Sequence, residues 1–323
     1  MNVRAAFLTL AGLLALPCTV DAQAPARVDH GLVYDAARKV VVMYGGGGPD
    51  DAVSLGSTWA FDGASWKLIA TDGPGQRSDV RLAYDAARDV VVLYGGRARG
   101  TTGMHVFTDT WEWNGAMWRK AADGGPPART HAALGYDPLS RRVLLYGGGG
   151  TSDESYNDTW SWDGAAWKLL PDTGPAGRFV NGMTTTAESA FLSLVYNAPE
   201  TMRDGNMGLE LFRRDAATWS RIDIPPLRFS PMMPVTATAN AGELLLYAGW
   251  DAPDGAAPTT WLVSARGATR EADAAPGRRR GAAMAYDPDR RRVILFGGES
   301  DTAVLNDTWE WYDGAWHRVP QPQ

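Results

Sequence analysis

The stretch that decides the fold is residues 27–68, RVDHGLVYDAARKVVVMYGGGGPDDAVSLGSTWAFDGASWKL. It holds a short apolar segment, a second apolar run that ends at Tyr44 before a row of glycines, and a third segment that carries Trp59 and Trp66. The pair Asp62-Gly63 tolerates the positive φ angles that a tight hairpin turn needs. We therefore expect four antiparallel strands, A to D, in this unit.

The same unit recurs along the chain. The aromatic residues that end the second apolar run are Tyr44, Tyr94, Tyr146, Tyr196, Tyr247 and Phe296. They are 49 to 52 residues apart. One four-stranded sheet of this kind cannot bury both of its apolar faces, whereas sheets arranged radially cover one another. The pattern predicts an all-β, six-bladed β-propeller with four antiparallel strands per blade.

One propeller domain is expected to fill residues 23–323. The predicted blades are 27–76, 77–128, 129–177, 178–227, 228–278 and 279–323. Because the last unit ends with its own strand D and the first begins with strand A, we expect the ring to close without an exchanged strand.

A glycine pair after an apolar strand, followed by spaced aromatic residues at a fifty-residue period, resembles the kelch repeat. The variant is similar to bacterial exported members of the galactose-oxidase-like propeller superfamily. Units 4 and 5 depart from the pattern, with Phe212 expected in place of a first tryptophan and Arg270 in place of a last one. Galactose oxidase needs a cysteine-modified tyrosine, but the single cysteine here is Cys18 in the N-terminal segment. The resemblance therefore implies the fold without the copper chemistry, and we expect no cofactor.

The N-terminus resembles a secretory signal peptide. A positive charge is followed by an apolar stretch at 5–15 and by small residues before Gln23, which predicts a signal peptide over residues 1–22. The apolar stretch is too short to span a bilayer. We expect a secreted or periplasmic protein without a membrane span.

Charge and motifs narrow the function. The 31 Lys and Arg against 37 Asp and Glu give a net charge of −6, which argues against nucleic acid as a partner. The four histidines form no pattern typical of a metal site, and no catalytic motif is present. The expected partner is an unidentified protein, peptide or glycan.

The B–C loops and the starts of strands A are predicted to share one face, which is the candidate ligand face. An arginine opens each unit: Arg27, Arg77, Arg129, Arg178, Arg228 and Arg279. These arginines could attract an anionic ligand or could tie the inter-blade links to backbone carbonyls, and their regular recurrence favours the structural role.

The residues that follow those arginines differ from one unit to the next, and this difference indicates the lining of a pocket. The candidate residues beside the axis are Asp29, His30, Asp79, His131 and Asn181, and the loops add Trp250, Asp251, Arg97 and Glu299. For each of them a solvated or capping role competes with ligand contact. Trp250 is expected to be the one tryptophan outside the repeat pattern.

Three functions remain open. The favoured hypothesis is a non-catalytic recognition scaffold that binds a protein, peptide or glycan on the B–C loop face. The alternative is a carbohydrate- or small-molecule-converting enzyme, similar to kelch sialic-acid mutarotases, with acid–base residues at the axial funnel. Its candidate residues are His30, His131, Asp29 and Asp79 together with the arginines. A structural role in an envelope complex is the weakest of the three.

Overall fold

The computed structural model describes most of the chain. The described residues are 23–49, 54–101, 103–150, 154–175, 179–186, 189–196, 207–215, 218–224, 228–229, 235–240, 243–249, 258–264, 267–273 and 276–321. The predicted signal peptide lies outside them, so it stays a prediction. Within this part of the chain every regular element is a β-strand, and there is no helix that is long and apolar enough to cross a membrane.

The strands form six sheets of four strands in the sequential order A-B-C-D, and the fold is the expected six-bladed β-propeller. Blades 1 to 3 comprise Gly31–Asp35, Val40–Tyr44, Thr58–Phe61 and Trp66–Ala70; Arg81–Asp85, Val90–Tyr94, Thr110–Trp113 and Trp118–Ala122; and Ala133–Asp137, Arg142–Gly149, Ser155–Trp162 and Trp167–Thr173. Blades 4 to 6 comprise Phe179–Thr185, Ala190–Tyr196, Met207–Asp215 and Thr218–Ile222; Val235–Asn240, Glu243–Ala248, Thr259–Ser264 and Gly267–Asp273; and Ala283–Asp287, Arg292–Phe296, Thr308–Tyr312 and Ala315–Arg318.

Two short elements supplement the blades. Arg97–Gly100 and Gly103–Val106 form a hairpin within the B–C connection of blade 2. Arg228–Phe229 pairs with strand C of blade 4.

The strands A surround the propeller axis. Each strand A contacts the strands A of the preceding and following blades, and the strand A of blade 6 contacts that of blade 1. Among the described residues, the strands of blade 1 come from residues 31–70 alone, and Ala315–Arg318 pairs with strand C of blade 6. The expected closure without strand exchange is confirmed.

Neighbouring blades are joined by a repeated hydrogen bond. The indole Nε1 of the tryptophan in strand D donates to the hydroxyl of a threonine in strand C of the preceding blade. The pairs are Trp66–Thr308 at 2.9 Å, Trp118–Thr58 at 2.8 Å, Trp167–Thr110 at 2.8 Å, Trp219–Thr159 at 3.2 Å and Trp316–Thr260 at 2.8 Å. Because a buried indole N–H needs an acceptor, each bond fixes the relative position of two blades.

The interface between blades 4 and 5 is the exception. Ala268 pairs with Val263, as Trp118 pairs with Trp113 in blade 2, so Ala268 occupies the place of the last tryptophan. The expectation that Arg270 would occupy it was wrong by two residues. Ala268 packs against an apolar cluster that includes Leu209 of blade 4, and apolar packing therefore replaces the hydrogen bond there.

Strand pairing also locates the other aromatic residues of blades 4 and 5. In blade 4, Arg214 pairs with Trp219 as Trp113 pairs with Trp118 in blade 2. Phe212 lies two residues before Arg214, so it takes the place of the first tryptophan, as expected. In blade 5, Leu246 of strand B pairs with Trp261, so Trp261 is the first tryptophan of that blade.

The glycine pairs after strand B are required by the backbone. Gly147 and Gly148 have φ of 64° and 96°, in the left-handed region that side chains disfavour. A Cβ at Gly148 would lie 2.6 Å from the carbonyl oxygen of Thr130. The pair therefore lets the start of strand A lie directly against its own B–C loop, where Thr130 and Gly149 form a bridge.

Candidate functional site at the axial mouth

The unit-opening arginines are buried structural residues in blades 1, 2, 3 and 6. Arg27, Arg77, Arg129 and Arg279 are at most 3% exposed. The Nη1 of each donates to the carbonyl of the first glycine after strand B, at 2.9 to 3.0 Å. Because they are buried and bind this carbonyl, these four arginines do not line the mouth. They have the structural role that their regular recurrence favours, and the alternative of a ring that attracts an anionic ligand is wrong for these four residues.

A carboxylate completes this structural role in three blades. The ion pairs are Arg77–Asp109 at 2.7 Å, Arg129–Asp158 at 2.6 Å and Arg279–Asp307 at 2.7 Å. Burial tends to raise the pKa of Asp109, but the hydrogen bonds from Arg77 and from the indole of Trp111 outweigh it and hold the pKa below its ordinary value. These carboxylates stay ionised as parts of the fold.

Just after the arginines the chain bends sharply around the axis. Asp29, Asp79, His131 and Gly281 all have φ between 52° and 61°. We call these four residues the axial collar. The amide of Asp29 donates to the carbonyl of Gly281 and the amide of Asp79 to the carbonyl of Asp29, both at 2.8 Å. The amide of His131 donates to Oδ2 of Asp79 at 2.8 Å. These bonds connect blades 6, 1, 2 and 3 in sequence around one end of the axis.

Asp29 is the collar residue with an accessible carboxylate. Its side chain is 41% exposed, and its Oδ2 lies 3.9 Å from Nη2 of Arg97 on the blade 2 hairpin. Partial desolvation of the carboxyl, and then the negative charge of Asp79, raise its pKa, against the opposing effects of Arg81, Arg97 and His131. A carboxyl with a raised pKa at an open mouth can accept hydrogen bonds or exchange a proton with a ligand.

His131 presents an imidazole beside the second carboxylate. Its side chain is 46% exposed, and its Nδ1 lies 3.9 Å from Oδ2 of Asp79. Asp79 itself is buried and forms an ion pair with Arg81 at 3.1 Å. Asp79 therefore fixes the collar, while His131 and Asp29 are the members that can reach a ligand.

His30 is not part of the open mouth. It is 4% exposed, and its ring packs edge-to-face on Phe296 at a centroid distance of 5.6 Å. Burial, and then the charge of Arg27, hold its pKa well below the ordinary value. The expectation that His30 lines the pocket is corrected, because the side chain fills the space between blades 1 and 6.

The remaining candidates fall where side chains are not described. Arg178, Trp250 and Asp251 lie outside the described residues. Asn181 lies in strand A of blade 4 and Arg228 in the short strand beside blade 4, and only their backbone is described. Their roles stay predictions.

Arg81 is a site residue that the sequence analysis missed. It lies at the start of strand A in blade 2, where Gly31, Ala133 and Ala283 stand in blades 1, 3 and 6. Its guanidinium binds Asp79 and donates to the carbonyl of Ala132 at 2.9 Å. A charged residue among small ones at this position was the available signal.

The mouth thus combines accessible groups of both signs. Asp29 and Arg97 supply an acceptor and a donor, and His131 supplies either. No group of three or more metal-ligating side chains occurs among the described residues. This arrangement suits a polar ligand that both donates and accepts hydrogen bonds.

Comparison with known proteins supports the fold. No protein-family model matches the chain, and no curated protein matches it. Among solved structures the chain is similar to one titled "Structure of YjhT", with a TM-score of 0.66 and 13% sequence identity. The match covers 91% of this chain and 97% of that one. At this identity the likeness concerns the propeller architecture alone.

Proposed function

We propose that the protein is a recognition propeller that binds a glycan at the axial mouth. The observation that carries the proposal is the accessible trio of Asp29, Arg97 and His131 beside a hydrogen-bonded collar. Sugar hydroxyl groups both donate and accept hydrogen bonds, and they match a mouth that offers carboxylate, guanidinium and imidazole groups. The buried partners of the collar preorganise these side chains and lower the entropy cost of binding.

The test is a calorimetric screen of neutral and acidic sugars against the wild type and Asp29→Asn and His131→Ala. We expect binding in the wild type and at least tenfold weaker binding in both variants. The matched controls are Asp123→Asn, just after strand D of blade 2, and His317→Ala, in strand D of blade 6, and both side chains are exposed. The proposal fails if no sugar binds, or if the controls weaken binding as much as the collar variants do.

A second candidate function is acid–base conversion of a bound sugar. It is favoured by the raised pKa of Asp29 next to Asp79, because a general acid needs a carboxyl that keeps its proton nearer to neutral pH. Proton NMR of sugar anomers would reveal turnover that Asp29→Asn abolishes. Binding without any turnover would leave the recognition function and reject the catalytic one.

The family and the location belong to the same proposal. The glycine pairs with positive φ after strand B, in blades 1, 2, 3 and 6, support membership in the kelch-type propellers. The N-terminal segment supports export to the periplasm or beyond. Cell fractionation with N-terminal sequencing tests export, and a mature protein that retains residues 1–22 would contradict it.

A further inference from the structure

Arg27 differs from the equivalent arginines in what faces its guanidinium. In blade 3, Nη1 and Nη2 of Arg129 donate to the two carboxylate oxygens of Asp158, at 2.6 and 3.1 Å. In blade 6, Arg279 binds Asp307 in the same two-pronged way, at 2.7 and 3.0 Å. Bidentate pairing of this kind is the geometry that a guanidinium prefers.

Blade 1 has a serine where those blades have the aspartate. Ser57 precedes Thr58-Trp59, and its Oγ accepts the indole N–H of Trp59 at 2.9 Å, as Asp158 accepts that of Trp160 at 2.7 Å. The position is therefore equivalent, but the side chain lacks the carboxylate. Blade 1 therefore has the buried arginine without the carboxylate that pairs with it in blades 2, 3 and 6.

The remaining contacts of Arg27 do not replace the carboxylate. Nε donates to the carbonyl of Pro25 at 3.1 Å, and Nη1 donates to that of Gly45 at 3.0 Å. Nη2 is buried and has no hydrogen-bond partner among the described residues. A buried cation without a counter-charge is costly, and burial lowers the pKa of Arg27 to about 9.

The position of the missing carboxylate lies at the edge of solvent. The side chains of Asp109 and Asp158 are 12% and 25% exposed, and Ser57 is itself partly exposed. Because Nη2 of Arg27 is buried, a small anion can reach it with less rearrangement of the surroundings than a large one. This favours an anion no larger than the carboxyl group of an aspartate.

We propose that Arg27 and Ser57 form a binding site for a small carboxylate of formate size, which takes the place of the aspartate present in blades 2, 3 and 6. The site lies where the ring closes. The amide of Arg27 donates to the carbonyl of Leu305, and its carbonyl accepts from the amide of Gly298, both in blade 6. A bound carboxylate therefore stabilises the junction between the first and last blades.

The test is thermal unfolding in rising sodium formate, with sodium chloride at matched ionic strength. The wild type is expected to gain about 2 °C or more in Tm at formate concentrations well above Kd. Ser57→Asp is expected to have a higher Tm without formate and to lose the response, because its own carboxylate fills the site. Benzoate, which is too large, is expected to have no effect on either protein.

The matched control removes the corresponding aspartate from blade 2. Asp109→Ser removes the carboxylate from Arg77, and we expect a lower Tm that formate partly restores. If formate restores this variant but leaves the wild type unchanged, the site in blade 1 does not exist. A Ser57→Asp protein that responds to formate as the wild type does would also overturn the proposal.

A direct binding measurement on the folded protein does not rely on thermal unfolding. The carbon-13 resonance of labelled formate is expected to broaden with the wild type and to stay sharp with Ser57→Asp. Equal broadening by both proteins overturns the proposal, since it indicates binding elsewhere. The proposal is independent of the glycan function, because neither Arg27 nor Ser57 belongs to the axial collar.

Discussion

The indole Nε1 of Trp118 donates a hydrogen bond to Oγ1 of Thr58 at 2.8 Å, across the boundary between blades 2 and 1. Both residues are buried, and Trp118 also packs edge-to-face on Tyr44 at a centroid distance of 5.2 Å. The pair shows how the repeat holds the ring together. Apolar packing brings two sheets together, and one directional bond sets their register.

Thr58→Val tests that bond at nearly constant volume. The substitution leaves the indole N–H of Trp118 buried without its acceptor, which costs about 1–3 kcal/mol. Urea unfolding should show this loss in the free energy of unfolding. Thr71→Val, at an exposed position, is the control and should be within about 0.5 kcal/mol of the wild type. Equal effects of the two substitutions would contradict the role assigned to the inter-blade bond.

Arg77→Lys separates the structural role of the arginines from ligand binding. Arg77 donates to the carbonyl of Gly95 and to both carboxylate oxygens of Asp109, and one ammonium group cannot reproduce this fork. We expect a loss of about 1–3 kcal/mol in stability. Ligand affinity of the folded protein should be unchanged. Arg119→Lys is the control, because the side chain of Arg119 is 65% exposed, and it should change neither stability nor ligand affinity. Weaker ligand binding by folded Arg77→Lys would show that the buried arginines contribute to the binding site.

His30 should make stability sensitive to acid. Its folded-state pKa lies well below the ordinary value because of burial and then Arg27. Below about pH 6.5 the imidazole binds a proton in the unfolded chain but not in the native state. The free energy of unfolding therefore falls as pH falls, by up to about 1.4 kcal/mol per pH unit. His30→Val introduces the residue type found at the buried equivalent position, Val80. Unfolding between pH 7 and 5 should show a smaller decline for the variant, and parallel curves would reject the role of His30.

Gly148→Ala tests the close approach of strand A to its loop. The new Cβ would lie 2.6 Å from the carbonyl oxygen of Thr130, at a φ of 96°. We expect a loss of about 1–3 kcal/mol. Gly124→Ala, where nothing lies within 4 Å of the new Cβ, is the matched control. Similar stabilities of the two variants would mean that the loop can move away, and that the glycine pair is not required.

The sequence predicts the architecture well because each blade has the same packing requirements and so repeats the same residue types. Blade number follows from the spacing of residues such as Tyr44 and Tyr94, since each must cover the face of a neighbouring sheet. In blade 5 the last tryptophan of the repeat was assigned to the wrong position. Ala268 stands at that position without the aromatic side chain that marks strand D elsewhere, so the sequence favoured Arg270. Only strand pairing recovers the register.

The site is less predictable than the fold. The positions of Asp29 and His131 beside the axis follow from the start of strand A, and the structure places both in the collar. The burial of His30 follows the backbone bend at Asp29, which the other three collar residues share, and the sequence analysis did not predict this bend. The contribution of Arg81 depends on the buried charge of Asp79, and this relation appears only in three dimensions.

The most direct test of the account is a crystal structure of the protein with the tightest sugar from the calorimetric screen. The account predicts ligand density at the axial mouth, within hydrogen-bonding distance of Asp29 and of Arg97 or His131. Density on the opposite face, or on the outer strands with the collar empty, would contradict it.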